Sequence, residues 1–249
     1  MSIHCYFINK YLQKLIIEST FACYLINNKM TESALFGHLP HKTIERLSQY
    51  RRALLLCLEN GKSHIFSHEI AKIQHITPVQ VRRDLMLIGY SGTLRRGYNI
   101  QELIHLIGDI IDSHEGLNVT VVGMGNLGRA LINYFQGKRH KLSIVAGFDN
   151  NPDKIGKKIS GVTCYSIEDM SQVIKENDIQ IGIITVPASF TKEIAEKLVE
   201  SGIKGILNYT PKPIEVPNHV YLEEYDMITT LEKVAFFVKL AEEKEEENA

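Results

Sequence analysis

No pair of cysteines at CxxC spacing occurs in this chain; Cys5, Cys23, Cys57 and Cys164 are scattered over its 249 residues. Neither a disulfide framework nor a zinc site is indicated, which suits a reducing cytoplasm. Also missing is an uncharged apolar run of the about 20 residues that a membrane span needs. The most apolar early stretch, residues 3–26, is interrupted by Lys10, Lys14 and Glu18, so no membrane partner is expected. The order of a signal peptide (early positive charge, apolar stretch, small-residue cleavage site) is not seen either. Residues 1–37 read as a poorly ordered extension without assigned function. Met30 opens a more ordinary start, so residues 1–29 are either such an extension or a product of start-codon choice.

The chain is long enough for one large domain or two ordinary ones. Its net charge of −1 hides an asymmetry: residues 38–100 carry ten Lys/Arg against four Asp/Glu, a net of +6, whereas the remainder from Gln101 sums to about −8. A basic module fused to an acidic one suggests that only the first meets a polyanion. Within it, residues 44–59 place Ile44, Leu47, Ala53, Leu54, Leu55 and Leu58 at helical spacing, ended by Gly61. Ser67 is a plausible N-cap for a short second helix with Glu69 in its first turn. Thr77 followed by Pro78 reads as the cap and first residue of a third, over residues 79–88, with Val81, Leu85 and Ile88 inward.

Three short helices with a basic last one form the helix-turn-helix pattern, placed at about 50–89 within a domain spanning 38–98. The third helix would reach base edges of double-stranded DNA, with Thr77 at its start and Gln80, Arg82 and Arg83 as readers or phosphate clamps. The following GYSGTLRRGY reads as a hairpin wing whose Arg95 and Arg96 meet a narrow minor groove or phosphates. His64, His68 and His75 lack matching ligands nearby and read as structural or surface histidines, so no metal site is expected.

The acidic part opens on LNVTVVGMGNLGRAL, residues 117–131. A β-branched run enters a loop, Gly123-Met124-Gly125-Asn126-Leu127-Gly128, and an apolar helical pattern follows. In such a loop the first glycine permits a tight turn, the second lets backbone approach a pyrophosphate, and the third lets helix pack on strand. Backbone N–H groups at the helix start then face the phosphates. A second strand-like run, residues 142–148, ends in Asp149, about twenty residues past the last glycine. A carboxylate there accepts ribose hydroxyls and disfavours a 2′-phosphate, which argues for NAD over NADP. Further strand and helix patterns alternate: a strand at 161–165, a helix at 166–177, a strand at 179–186, a helix at 188–201 and a strand at 204–209. That alternation means a doubly wound parallel sheet, and the strand ends Gly123, Asp149, Val186-Pro187 and Asn208-Tyr209 are expected to converge on one crevice. Asn99 caps a helix with Ile100, Leu103, Ile104, Ile107, Ile110 and Ile111 at the 3.6 period, read as a linker over 99–116.

The motifs VRRDLMLIGYSGTLRRGYNI, VVGMGNLGRALINY, FDNNPDKIG, TVPA and KGILNYTP, with a carboxy-terminal apolar helix, resemble in order the redox-sensing transcriptional repressor family Rex over about residues 39–240. The resemblance implies an α/β chain: a winged helix-turn-helix, a Rossmann-like NAD(H)-binding domain at 117–226, and a C-terminal helix at 227–249 exchanged between subunits of a homodimer. It further implies that Thr185, Val186, Pro187 and Ala188 border the dinucleotide, that Tyr134 lies near the nicotinamide, and that Arg52 pairs with Asp226 of the other subunit in the DNA-competent state. Leu87-Ile88 departs from the family, where two aromatics are usual, so the operator preference could differ.

The apolar positions Met227, Ile228, Leu231, Val234, Ala235, Phe237, Val238 and Leu240 make a face too broad to leave in water, and EEKEEENA closes the chain as an acidic tail. An NAD-dependent dehydrogenase is the competing reading. It needs a substrate domain and an acid or base beside the nicotinamide. From Gly123 only 127 residues remain, with no His or Lys at a strand end. A regulator binding another phosphate ligand is disfavoured by Asp149, which would repel a bare phosphate. The expectation is therefore a repressor, not an enzyme, that senses the NADH/NAD⁺ ratio and releases operator DNA when NADH binds.

Overall fold

The computed structural model describes residues 39–93, 95–113, 115–135, 137 and 141–247. The extension expected at 1–37 lies outside the described residues. The chain divides into two compact units, Met1–Asp112 and Ser113–Ala249.

The first unit contains α1 (His41–Glu59), β1 (His64–Ile65), α2 (Ser67–Gln74), α3 (Pro78–Leu87), β2 (Tyr98–Asn99) and α4 (Ile100–Ile111). Thr77 caps α3 as anticipated: its hydroxyl accepts the Gln80 N–H at 3.2 Å, and Pro78 fills the first turn where no donor is needed. Ser67 is not the cap of α2. Phe66 occupies that position, and Glu69 closes the turn by accepting the Phe66 N–H at 2.9 Å. A single left-handed residue, His75 at φ 54°, turns α2 into α3, so a helix-turn-helix is formed with a very short connection.

Two further readings change. The helix over 100–111 is no bare linker: Ile100, Leu103 and Ile107 are fully buried in one core with Leu47, Tyr50, Leu54, Ile65, Val81 and Leu85. Its hydrophobic period had a partner within its own unit. Leu55, expected inside α1, is exposed, and Tyr50 and Arg51 are buried instead. The wing is a tight loop in which Thr93 and Gly97 exchange both backbone hydrogen bonds, at 2.9 and 2.8 Å, followed by the antiparallel pair β1 and β2. Gly97 has φ +73°, and a Cβ there would lie 2.4 Å from the Ile65 carbonyl oxygen, so only glycine closes this loop.

At the centre of the first unit sits a charge that composition alone did not reveal. Asp84, fully buried on the inner side of α3, accepts from Arg46 Nε at 2.6 Å and Nη2 at 2.7 Å, from Tyr50 Oη at 2.7 Å and from Gln80 Nε2 at 2.9 Å. Burial pushes its carboxyl upward, but the hydrogen bonds from Arg46, Tyr50 and Gln80 outweigh it and hold the group below the ordinary carboxylate range. Tyr50 moves the other way: burial, then the bond to Asp84, raises its phenol far above the usual value, so it remains a donor.

The second unit is a seven-stranded sheet ordered β5-β6-β4-β3-β7-β8-β9, formed by β3 (Leu117–Val122), β4 (Leu142–Asp149), β5 (Lys158–Ile159), β6 (Val162–Ser166), β7 (Ile179–Ile184), β8 (Gly205–Asn208) and β9 (Tyr221–Glu224). All neighbours are parallel except β5 on β6. From β3 the chain builds outward through β4 and β6, then returns to β7 on the opposite side, so strand order reverses beside β3. Helices α5 (Asn126–Phe135), α6 (Met170–Glu176) and α7 (Thr191–Glu200) connect the strands. The helices expected at 166–177 and 188–201 each begin as a 3-10 turn, at Ile167–Asp169 and Ala188–Phe190, and β5 and β9 were not anticipated.

The last helix, α8 (Met227–Glu247), covers no core: Leu231 is 69% and Phe237 61% exposed, and Met227, Ile228, Val234 and Val238 are likewise exposed. It does not fold back onto its own unit.

Asp84→Ala would leave the Arg46 guanidinium and the buried Tyr50 hydroxyl without their acceptor. The expected loss is about 3–5 kcal/mol of stability, read in urea unfolding followed by circular dichroism. Because the folded-state carboxyl lies below its unfolded value, its contribution is complete above the usual carboxylate range and is lost as pH falls through the folded value. The parent chain should therefore lose melting temperature on acidification below about pH 4 more steeply than the Asp84→Ala chain.

Candidate functional site

The reversal of strand order beside β3 opens a crevice of about 510 Å³ at the carboxyl ends of the strands, lined among others by Gly123, Gly125, Asp149, Lys154, Thr185, Val186 and Pro187. This is where an open α/β sheet takes its ligand, and the volume suits an extended small molecule. Each glycine of the loop has a separate geometric duty. Gly123 turns at φ +99°, with an added Cβ 2.8 Å from the Thr185 carbonyl oxygen, and a Cβ on Gly128 would fall 2.1 Å from the Gly123 oxygen. Gly125 differs, since a Cβ there meets nothing within 4 Å. Its openness faces the crevice, at the place where α5 begins and its first N–H groups lack helical partners. The residues present therefore fit a dinucleotide pyrophosphate.

Other loop residues hold this shape. Met124 is buried with its thioether against Gly147, Leu127 is half-buried, and Asn126 is exposed, its side-chain oxygen accepting from Arg129 Nη2 at 2.6 Å. Thr185 does more than line the crevice: its hydroxyl lies 3.0 Å from the Val122 oxygen and donates to the Gly123 oxygen at 2.8 Å, tying β7 to the loop. Ala188 opens the 3-10 turn before α7, behind Pro187.

Asp149 stands at the end of β4 as expected, but its oxygens are already engaged. They accept the Met124 N–H at 2.9 Å, the Asn151 N–H at 2.9 Å and Lys154 Nζ at 2.7 Å. Burial raises this carboxyl, and the bonds from Lys154 and the two backbone N–H groups more than reverse that, so it stays ionised. Lys154 is among the crevice residues that sequence reasoning missed, with Glu168, Phe190 and Lys197; its signal was a lysine in the NPDKIG turn, five positions after the acid. Among the described residues no cluster of His, Cys, Asp and Glu could hold a metal.

Three expected members are absent from the crevice lining. Asn208 is buried but spent on its own loop, donating to the Lys212 oxygen at 2.9 Å and accepting the Thr210 N–H at 3.0 Å. Tyr209 instead packs on Tyr225, ring centroids 5.2 Å apart. Tyr134 is exposed and edge-on to Phe135, and it does not line the crevice.

On the first unit, Arg82, Arg83, Arg95 and Arg96 are all exposed, with Arg82 Nη1 donating to Ser67 Oγ at 3.2 Å. Gln80 is half-buried, and its amide nitrogen donates to Asp84 Oδ1 at 2.9 Å. Arg52 is exposed on α1. Asp226 has a duty unseen in the sequence: it caps α8, accepting the Ile228 N–H at 2.8 Å, the Thr229 N–H at 3.3 Å and the Thr229 hydroxyl at 2.6 Å. The Thr229 hydroxyl, then its N–H, lowers this carboxyl below the ordinary range.

Comparison with known proteins matches both halves. Residues 38–85 fit the family model described as a putative DNA-binding protein N-terminus, and residues 114–212 that of a CoA binding domain. The redox-sensing transcriptional repressor Rex of Carboxydothermus hydrogenoformans is 39% identical over 201 residues, 81% of this chain and 97% of that protein. Crystal structures of RSP, a Rex-family repressor, are similar over most of this chain. The complex with beta-NADH gives a TM-score of 0.75 at 31% identity, covering 84% of this chain and 98% of that one. The complex with beta-NAD+ and operator DNA gives 0.76 at 32% identity, covering 84% and 96%.

Gly125 and Gly128 make opposite predictions. Gly125→Val should melt like the parent chain, since its side chain meets only open space, yet bind NADH at least about tenfold more weakly, or about 1.4 kcal/mol. Gly128→Ala should lower the melting temperature itself, because backbone must move. Calorimetric titration with NADH beside a thermal melt checks both.

Proposed function

Because this chain belongs to the Rex family of redox-sensing transcriptional repressors, we propose that it acts as a homodimer in which each subunit carries one operator-reading unit and one NADH-sensing crevice. It is a DNA-binding repressor, not an enzyme: it holds operator DNA when NADH is scarce and releases it on binding NADH. The observation that carries this reading is the union, in one chain, of a helix-turn-helix with exposed arginines and a glycine cradle that a Cβ at Gly125 would fill. The two ligands are then reciprocally coupled, by about 1–3 kcal/mol in systems of this kind.

Within that reading, Gly123 to Gly128, Asp149, Thr185, Val186 and Pro187 hold the dinucleotide, and Lys154 joins them through its pair with Asp149. Arg82, Arg83, Arg95 and Arg96 meet the DNA, and Gln80 with Thr77 positions the helix that does so. Tyr134 is assigned to the mouth of the nicotinamide half. The dimer rests on α8, whose apolar residues stand in water in the single chain. Covering them is worth roughly 25 cal/mol per Å². The cytoplasm, where operator DNA and NADH meet, is the location that this function requires, and no described helix is long and apolar enough to cross a membrane.

Fluorescence anisotropy of operator-type DNA with purified protein, at matched NAD⁺ and NADH, tests the sensor. Release by NADH alone is expected; release by neither or by both equally overturns the reading. Arg52 and Asp226 are assigned as a pair between subunits in the DNA-holding state. Asp226→Ala would also uncap α8, so Asp226→Asn is the cleaner probe, because Asn keeps an N-cap acceptor and loses the charge. It should weaken DNA binding and leave NADH binding intact; equal loss of both would refute a switch role.

A further inference from the structure

One face of α3 is left without an explanation by the packing of its unit. Val81, Leu85 and Ile88 point into the core and Asp84 into its buried network. On the opposite side Val79, Met86 and Leu87 are 56%, 74% and 50% exposed, and with Arg82 and Arg83 they line a shallow groove of about 530 Å³. Positions 79, 82, 83, 86 and 87 follow the i, i+3, i+4, i+7, i+8 spacing of a single helical face. The helix is thus apolar on both sides, and only one side has a core. Leu87 is moreover one of the two positions where the sequence departs from the aromatics usual in its family, and the structure turns it outward while its neighbour Ile88 faces in.

We propose that this outward strip of Val79, Met86 and Leu87 reads thymine methyl groups in the major groove of the operator. The inference rests on the DNA-binding reading of the first unit. A protein partner for the strip would have to accept two arginines at its centre, whereas a nucleic acid supplies what they need: phosphates or guanine edges beside the one apolar group that the major groove displays, the 5-methyl of thymine. Val79 stands in the first turn of α3, the part of a recognition helix that comes nearest the base edges. The basic character of residues 38–100, a net of +6, adds to the match with a polyanion. The apolar side chains then select sequence, and Arg82 and Arg83 supply attraction that depends on salt more than on sequence.

Thymine-to-deoxyuridine exchange tests this without touching any hydrogen bond. Palindromic duplexes are first selected by the full-length protein from a random-sequence pool, and each thymine of the tightest binder is then replaced in turn by deoxyuridine. Loss of affinity is expected at one or two positions in each half-site, about fourfold per methyl buried. A Val79→Ser, Met86→Ser, Leu87→Ser variant, altered only at exposed positions of the strip, should bind NADH as before and no longer distinguish thymine from deoxyuridine. Equal affinity for both bases at every position overturns the proposal, as does discrimination that persists in the triple variant. Self-association of the free protein that disappears in the triple variant would assign the strip to a second copy instead. Failure to enrich any duplex would bring down the DNA-binding reading itself, a different result from selection without methyl discrimination.

Discussion

The first unit depends on a buried negative charge. Asp84 on α3 is the shared acceptor for Arg46 and Tyr50 of α1 and for Gln80 of α3 itself, all within 2.9 Å. A lone carboxylate in that position would be driven neutral by desolvation, so its ionisation states how completely the donors surround it. The consequence is directional. Apolar packing in the core that holds Leu47 and Leu85 tolerates small slips, but a carboxylate with donors from two helices fixes the roll of α3 about its axis. That roll decides which residues face outward. With Asp84 held inside, Val79, Arg82, Arg83 and Met86 have only the solvent side to occupy. A buried charge thereby determines which surface α3 presents to solvent.

The second unit uses backbone contact where the first uses charge. Gly123, Gly128 and Thr185 bring β3, α5 and β7 so close that a single Cβ at Gly128 would collide with the Gly123 oxygen, and the Thr185 hydroxyl closes the remaining gap. The loop is preorganised, and its backbone has little freedom to move. Asp149 and Lys154 extend the same economy, since the carboxylate accepting from Met124 N–H also braces the loop from the β4 side. An added ligand here would find the loop already folded, so less ordering opposes binding.

Much of this was legible in the sequence, and the failures have physical causes. The glycine spacing, Thr77-Pro78 and the strand–helix alternation rest on local geometry, and they emerged where expected. Composition counted Arg46 as part of a basic face, yet its partner lies 38 positions away, and no local rule reports a pairing over that distance. The helix at 100–111 shows the same limit. Its period announced a buried stripe but not which module would bury it. Asp226 was read for its charge, whereas its position two residues before the Ile228 N–H already fitted a cap. Asn208 and Tyr209 end β8 beside β7 but are drawn into the loop to Lys212 and the contact with Tyr225. Strand ends share an edge of the sheet, and what they face is settled by the loops that follow.

Among the described residues, the outward strip of α3 and the length of α8 are apolar helix faces that remain in water in the single chain. Their surroundings differ in a way that assigns them to different partners. The strip on α3 is short and interleaved with Arg82 and Arg83, which makes it unfit for a dry protein interface but suited to a groove walled by phosphates. On α8 the apolar run from Met227 to Val238 carries Phe236 and Phe237 in mid-helix, where burial is worth most, and its charges gather toward the carboxyl end. A ligand alters an equilibrium only by its difference in affinity for two states. The network around Asp84 ties α3 to α1 by hydrogen bonds from Arg46 and Tyr50, so a change inside the reading unit would have to break them. Under the proposed homodimer, what NADH changes is assigned to the arrangement of the subunits, and α8, capped by Asp226 directly after a strand of the second unit, is the element proposed to carry it.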